Sequence, residues 1–215
     1  MEFGLLTNIR MIKSNMIKIP LRCLGKERTI MKISTFLTDR FETVEALAVV
    51  DVLRRAGMDV ELVSITGSLE VTSAQNVKII ADCLLEECDL AATDVMFLPG
   101  GPGHKAYMQC TQLLDELKRF NEKGKLIAAI CAAPSVLGKI GLLNGKKATC
   151  FPGFEDSLIG ADVQTAPVKV VTDGNVVTAR GMGASTELGL ELVRILEGEE
   201  AAHDLGISLQ YYEQD

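Results

Sequence analysis

Lys125-Leu126-Ile127-Ala128-Ala129-Ile130-Cys131-Ala132-Ala133-Pro134-Ser135-Val136-Leu137 is the stretch that decides the fold. Positions 126 to 130 are all apolar, the pattern of a strand covered on both faces. Small residues follow, and Pro134 opens a helical pattern, because proline suits the first turn of a helix. Cys131 sits at the junction. A strand–turn–helix unit of this kind lifts a side chain out of the sheet and onto a helix N-terminus. Backbone N–H groups there favour negative charge, so a thiol tends to ionise and to act as a nucleophile. The competing reading is a small apolar filler, as buried free cysteines commonly are. Local sequence leaves both open.

Outward from this unit, strand-like and helix-like segments alternate. Met31 to Leu37 reads as a first strand, followed by a helix from Glu42 to Ala56 with Val44, Leu47, Ala48 and Val52 on one face and Gly57 as its stop. Asp59 to Ile65 alternates like a strand, and Val71 to Ile80 reads as a short hairpin. Val95 to Leu98 is apolar and runs into Pro99-Gly100-Gly101-Pro102-Gly103; a helix spans Thr111 to Glu122. After the Cys131 unit, with its helix reaching Lys139, come a brief strand at Lys147–Cys150 and two strands around Thr172-Asp173-Gly174. A helix at Ala184–Leu196 and further helical residues beyond Glu199 close the pattern. Such alternation specifies an α/β fold, a mostly parallel sheet with helices on both faces. Ligands of these sheets bind beyond the carboxyl ends of the strands. Glu45, Gly100-Gly101 and Cys131 all fall at such ends.

That convergence outlines a site. Cys131 is the candidate nucleophile. The backbone N–H groups of Gly101 and Ala132 are candidate oxyanion donors, and Glu45 is the candidate acid or base. A partly buried glutamic acid can hold its proton near neutral pH and donate a hydrogen bond to a thiolate.

The ordered pieces resemble the ThiJ/PfpI superfamily, specifically its DJ-1-like branch. Phe41-Glu42-Thr43-Val44-Glu45-Ala46 and Val50 to Gly57 look like that family's acidic first helix, and Phe97-Leu98-Pro99-Gly100-Gly101 like its glycine loop. Ile127 to Pro134 looks like its nucleophile elbow, and Thr178-Ala179-Arg180-Gly181-Met182-Gly183 like its closing loop. The resemblance implies a flavodoxin-like three-layer sandwich, a homodimer, and a reactive Cys131 hydrogen-bonded to a protonated Glu45. Gly100, Phe151, Arg180, Gly181 and Met182 would line the pocket. The implied activities are cofactor-independent conversion of methylglyoxal to lactate (a glyoxalase III), protein deglycation, and peroxide sensing by cysteine oxidation. Two departures stand out. Protease-like members carry a histidine directly after the nucleophile, where this chain has Ala132, which disfavours an amidase or peptidase. Several DJ-1-like members carry a site histidine where Phe151 stands, which leaves proton transfer to Glu45 and water. His104 reads as a surface loop histidine and Cys150 as a packing residue.

Composition narrows the classes. The chain has 215 residues and a net charge of -7, unsuited to a nucleic-acid groove. No apolar run approaches the roughly 18 residues of a membrane span. Six cysteines without a C-x-x-C pair, and two histidines, argue against a zinc cluster or a disulfide framework. Cys83 and Cys88 accordingly read as packing residues, no metal or cofactor is expected, and the compartment is expected to be the cytoplasm. Residues 1–30 carry an excess of basic residues without a secretory pattern and read as an extension, with a single domain over residues 31–215.

Overall fold

The computed structural model describes residues 30–213. The expected extension therefore lies, but for Ile30, outside the described residues. The strands are β1 (Lys32–Leu37), β2 (Asp59–Ser64), β3 (Glu70–Thr72), β4 (Lys78–Ile80), β5 (Cys83–Leu84) and β6 (Val95–Leu98) in the first half. In the second half they are β7 (Leu126–Ile130), β8 (Lys147–Ala148), β9 (Asp162–Val163), β10 (Val170–Asp173) and β11 (Val176–Ala179). The helices are α1 (Thr43–Arg55), α2 (Thr111–Glu122), α3 (Pro134–Lys139), α4 (Ser185–Glu197) and α5 (Glu199–Ser208).

Seven strands form one sheet in the order β10-β11-β7-β6-β1-β2-β5. All neighbours run parallel except β10 and β11, a hairpin at the edge. Strand periodicity divides the core. Phe97, Ala128 and Ile130 join Val49, Leu53, Leu188 and Leu192 on one face, while Met96, Leu98, Ile127 and Ala129 join Leu113, Leu117, Phe120 and Leu137 on the other. Successive side chains of a strand point to opposite faces, so an unbroken apolar run is what a twice-covered strand requires. The result is the three-layer sandwich expected from the sequence.

Three expectations need correction. The buried face of α1 is Ala46, Val49, Val50 and Leu53 together with Glu45 and Val52, and Val44 is 45% exposed. The apolar positions of this helix nearly encircle it, so periodicity alone did not fix its phase. The strand at 147–150 stops at Ala148 and pairs with β9 outside the main sheet, because the Thr149 amide donates to the Thr178 hydroxyl at 2.9 Å instead. The late hairpin turns at Gly174-Asn175, with Asp173 already paired to Val176.

The order of the strands positions the site. After β1 the chain moves to β2 on one side, and it later returns to β6 on the other. Such a reversal opens a crevice at the carboxyl ends of the two strands. Register then sets the neighbours: Thr35 lies beside Phe97, Leu98 beside Ala129, and Ile130 beside Ala179. The segments that leave β1, β6, β7 and β11 therefore emerge side by side.

Candidate active site

Cys131 follows Ile130 directly and has φ of 63°, a left-handed conformation uncommon for a residue with a side chain. It is pinned from both sides: its amide donates to the Ala179 carbonyl at 2.9 Å, and its carbonyl accepts from the Phe151 amide at 2.8 Å. The end of β11 and the loop after β8 thus hold the elbow in a conformation the residue alone would avoid. α3 begins only at Pro134 and is six residues long, so Cys131 sits one turn ahead of a short helix rather than on its first residue.

Glu45 projects from the first turn of α1 and is 1% exposed. The solvated helix-face role, ordinary for a glutamate, does not apply. Its Oε2 accepts from the Gly100 amide at 3.0 Å. Burial pushes its carboxyl up to about 7, opposed by hydrogen bonds with Cys131, Gly100 and Met182. Burial also pushes the Cys131 thiol up to about 12, reinforced by the charge of Glu45 and its hydrogen bond. The helix N-terminus does not win here: desolvation and a neighbouring carboxylate outweigh it. The carboxyl therefore gives up its proton before the thiol does. The backbone amides of Gly101 and Ala132 act the other way and draw the thiol down.

The glycines follow from this crowding. A Cβ on Gly100 would lie 2.6 Å from both Cys131 Cβ and Glu45 Oε2, and Gly101 has φ of 89° with no room beside the Glu42 amide. The Glu42 amide donates to the Gly100 carbonyl at 3.1 Å, which fastens the start of α1 to the glycine loop.

His104, expected at the surface, is 7% exposed. Its Nδ1 donates to the Gly101 carbonyl at 2.9 Å and its ring meets Phe154 edge-on with centroids 5.2 Å apart. Burial lowers its affinity for a second proton. It is a neutral pin behind the oxyanion loop. Tyr107, which the sequence reading passed over, is fully buried with its hydroxyl 2.8 Å from the Phe36 carbonyl and 3.0 Å from the Pro99 carbonyl. It ties the ends of β1 and β6 together. The signal for both was their place just after the glycine loop, in the 3₁₀ segment Pro102–Gln109.

Of the expected lining residues, Gly181 approaches Glu45: a Cβ there would be 3.9 Å from Oε1 and 3.1 Å from the Phe151 ring. Phe151 is 47% and Met182 54% exposed, the latter turning its backbone to Glu45. Arg180 is held through its amide, which donates to the Lys169 carbonyl at 2.9 Å, and its side chain makes no hydrogen bond or ion pair among the described residues. Cys150 is buried in the core, away from solvent.

Residues 31–195, which include all four of these adjacent strand ends, match the DJ-1/PfpI family model. The chain belongs to the DJ-1/PfpI family. It is 38% identical over 166 residues to "Protein DJ-1 homolog A" of Arabidopsis thaliana, covering 76% of this chain and 42% of that protein. The chain thus spans less than half the length of that relative. It is 31% identical to "Glutathione-independent glyoxalase DJR-1.2" of Caenorhabditis elegans, covering 76% of this chain and 87% of that protein. Among solved structures, oxidized Toxoplasma gondii DJ-1 superposes with a TM-score of 0.80 at 32% identity, covering 86% of this chain and all of that one. The flavodoxin-like α/β fold of the family is the fold of this chain.

Proposed function

We propose that this protein is a cofactor-independent 2-oxoaldehyde enzyme of the glyoxalase III type, converting substrates such as methylglyoxal to 2-hydroxy acids. The observation that carries the reading is the Cys131–Glu45 pair with the Gly101 and Ala132 amides around the sulfur. A relative of similar length that bears a glyoxalase name supports it.

In this mechanism the Cys131 thiol passes its proton to the Glu45 carboxylate as sulfur bonds to the aldehyde carbon. Glu45 returns that proton to the former carbonyl oxygen, giving a hemithioacetal, while the two amides stabilise the oxyanion on the way. Glu45 then takes the hydrogen of the same carbon as a proton and delivers it to the neighbouring carbonyl carbon through an enediol. The product is a thioester of the 2-hydroxy acid, which water hydrolyses to regenerate the thiol. The sum is aldehyde plus water to hydroxy acid, with no outside oxidant. A carboxyl poised at about 7 suits a group that accepts and donates in one cycle. Lactate formation from methylglyoxal, followed by NMR, tests this: the Cys131→Ser protein should form none, and wild-type turnover in that variant would eliminate the mechanism.

The second reading is redox sensing, in which Cys131 is oxidised by peroxide to a sulfinate. The amides that face the sulfur itself favour it, since they would meet the new oxygens. Mild peroxide should then add two oxygens at Cys131 by intact mass, with no aldehyde turnover. A homodimer and a reducing, cytoplasmic setting complete the proposal. Apolar side chains left open at Val44, Leu69, Val77 and Ile80 support the first, and the five free cysteines among the described residues support the second. Among the described residues no helix is long and apolar enough to cross a membrane.

A further inference from the structure

A second cluster of reactive side chains lies on the β2–β5 edge of the sheet, with β1 and β6 between it and β7, the strand that carries Cys131. The Glu61 carboxylate, the Cys83 thiol and the Cys88 thiol all lie within 4.8 Å of one another, and all three residues are half-buried. They come from separate pieces of chain. Glu61 is on β2 and Cys83 opens β5, where it pairs with Val63. Cys88 closes a turn in which its amide donates to the Leu84 carbonyl at 3.1 Å, so the C-x₄-C spacing brings both thiols to one side. The Cys88 thiol donates to Glu61 Oε2 at 3.3 Å, and Lys32 Nζ lies 3.2 Å from the same oxygen. The Cys88 sulfur is also 3.7 Å from the Ser34 hydroxyl.

We propose that Glu61, Cys83 and Cys88 form a binding site for one thiophilic divalent cation of the zinc class. Two sulfurs and a carboxylate oxygen are a donor set zinc accepts, and three protein ligands leave a fourth tetrahedral position for water. A disulfide between the thiols would have no use for the carboxylate set against both. Binding breaks two S–H bonds, forms two metal–sulfur bonds and one metal–oxygen bond, and releases two protons to solvent without any change of oxidation state. The ligands then carry three negative charges against two on the cation. The Lys32 ammonium beside Glu61 balances the one left over, which gives that ion pair a purpose beyond the sheet edge. The sequence concealed the site because the two cysteines do not form a C-x-x-C pair and the third ligand stands on another strand.

Zinc competition against a chromophoric chelator tests the site, using the reduced full chain carrying Cys131→Ser so that the active-site thiol is absent. One tight equivalent is expected. Cys83→Ser and Cys88→Ser added to that background should each weaken it on the order of 100-fold, and Lys32→Ala about tenfold. Should a serine variant fail to fold, Glu61→Gln keeps both thiols and nearly the same shape; zinc should raise the Tm of its parent and not its own. Failure of the Cys131→Ser protein to bind zinc would overturn the proposal. So would zinc held by Cys83→Ser, Cys88→Ser or Glu61→Gln as tightly as by the parent.

Discussion

Cys131 is a strained residue, and in the proposed chemistry its reactivity depends on passing one proton to Glu45. The sequence brought out both residues, because each follows a parallel strand. It could not supply the balance between them, since desolvation depends on depth and depth is set by α4 and the glycine loop. The expectation of a thiol ionised by its helix therefore gives way to a thiol that holds its proton beside a carboxyl that ionises first. Stability should report the same exchange. The Glu45 carboxyl is held at about 7 in the folded chain, against about 4.5 unfolded. Between those values the folded state keeps a proton the unfolded state has lost, so stability falls as pH rises through this window. The loss reaches on the order of 3 kcal/mol above pH 7. Glu45→Gln removes this dependence: its Tm should decline less than that of the wild type between pH 5 and pH 8. Parallel Tm profiles in a pH series would contradict the assignment.

Elements bring those residues together through close approaches that tolerate no added atom. Gly100 is one such point, at the elbow, and Gly189 is another, where α4 crosses α1 and a Cβ would lie 2.8 Å from the Val52 Cβ. Periodicity found both helices, yet it misplaced the buried face of α1, because that helix carries apolar residues on nearly every side and the seam is chosen by Gly189 on a distant helix. Two substitutions separate the roles. Gly189→Val should overpack the α1–α4 seam and cost about 1–3 kcal/mol, read as a lower Tm. Gly100→Ala should disable the site by forcing Cys131 and Glu45 apart, with a much smaller effect on Tm than on turnover. Equal stability of Gly189→Val and wild type in thermal melts would show that the seam can open freely.

At the scale of the molecule, the sheet order could be argued only in part from sequence. Alternating β and α units gave the parallel sheet and its two helical layers, but the switch point between β1 and β6 that opens the crevice rests on pairings that no local pattern encodes. The same holds for His104. A loop position predicted exposure, and Phe154, brought in from beyond the elbow, covers it. Val44, 45% exposed on α1, and the hairpin residues Val77 and Ile80 leave apolar surface that a second copy would cover. Light scattering behind size exclusion should give a dimer mass, and Val44→Asp should shift it toward the monomer. A monomeric wild type at tens of micromolar would refute the dimer.

The central claim is that Cys131 and Glu45 act as one unit on a 2-oxoaldehyde, and lactate formation from methylglyoxal by the Glu45→Gln and Cys131→Ser proteins tests it most directly. Glu45→Gln should lower turnover about 10²–10⁴-fold and Cys131→Ser should abolish it. Wild-type turnover in either variant would contradict it.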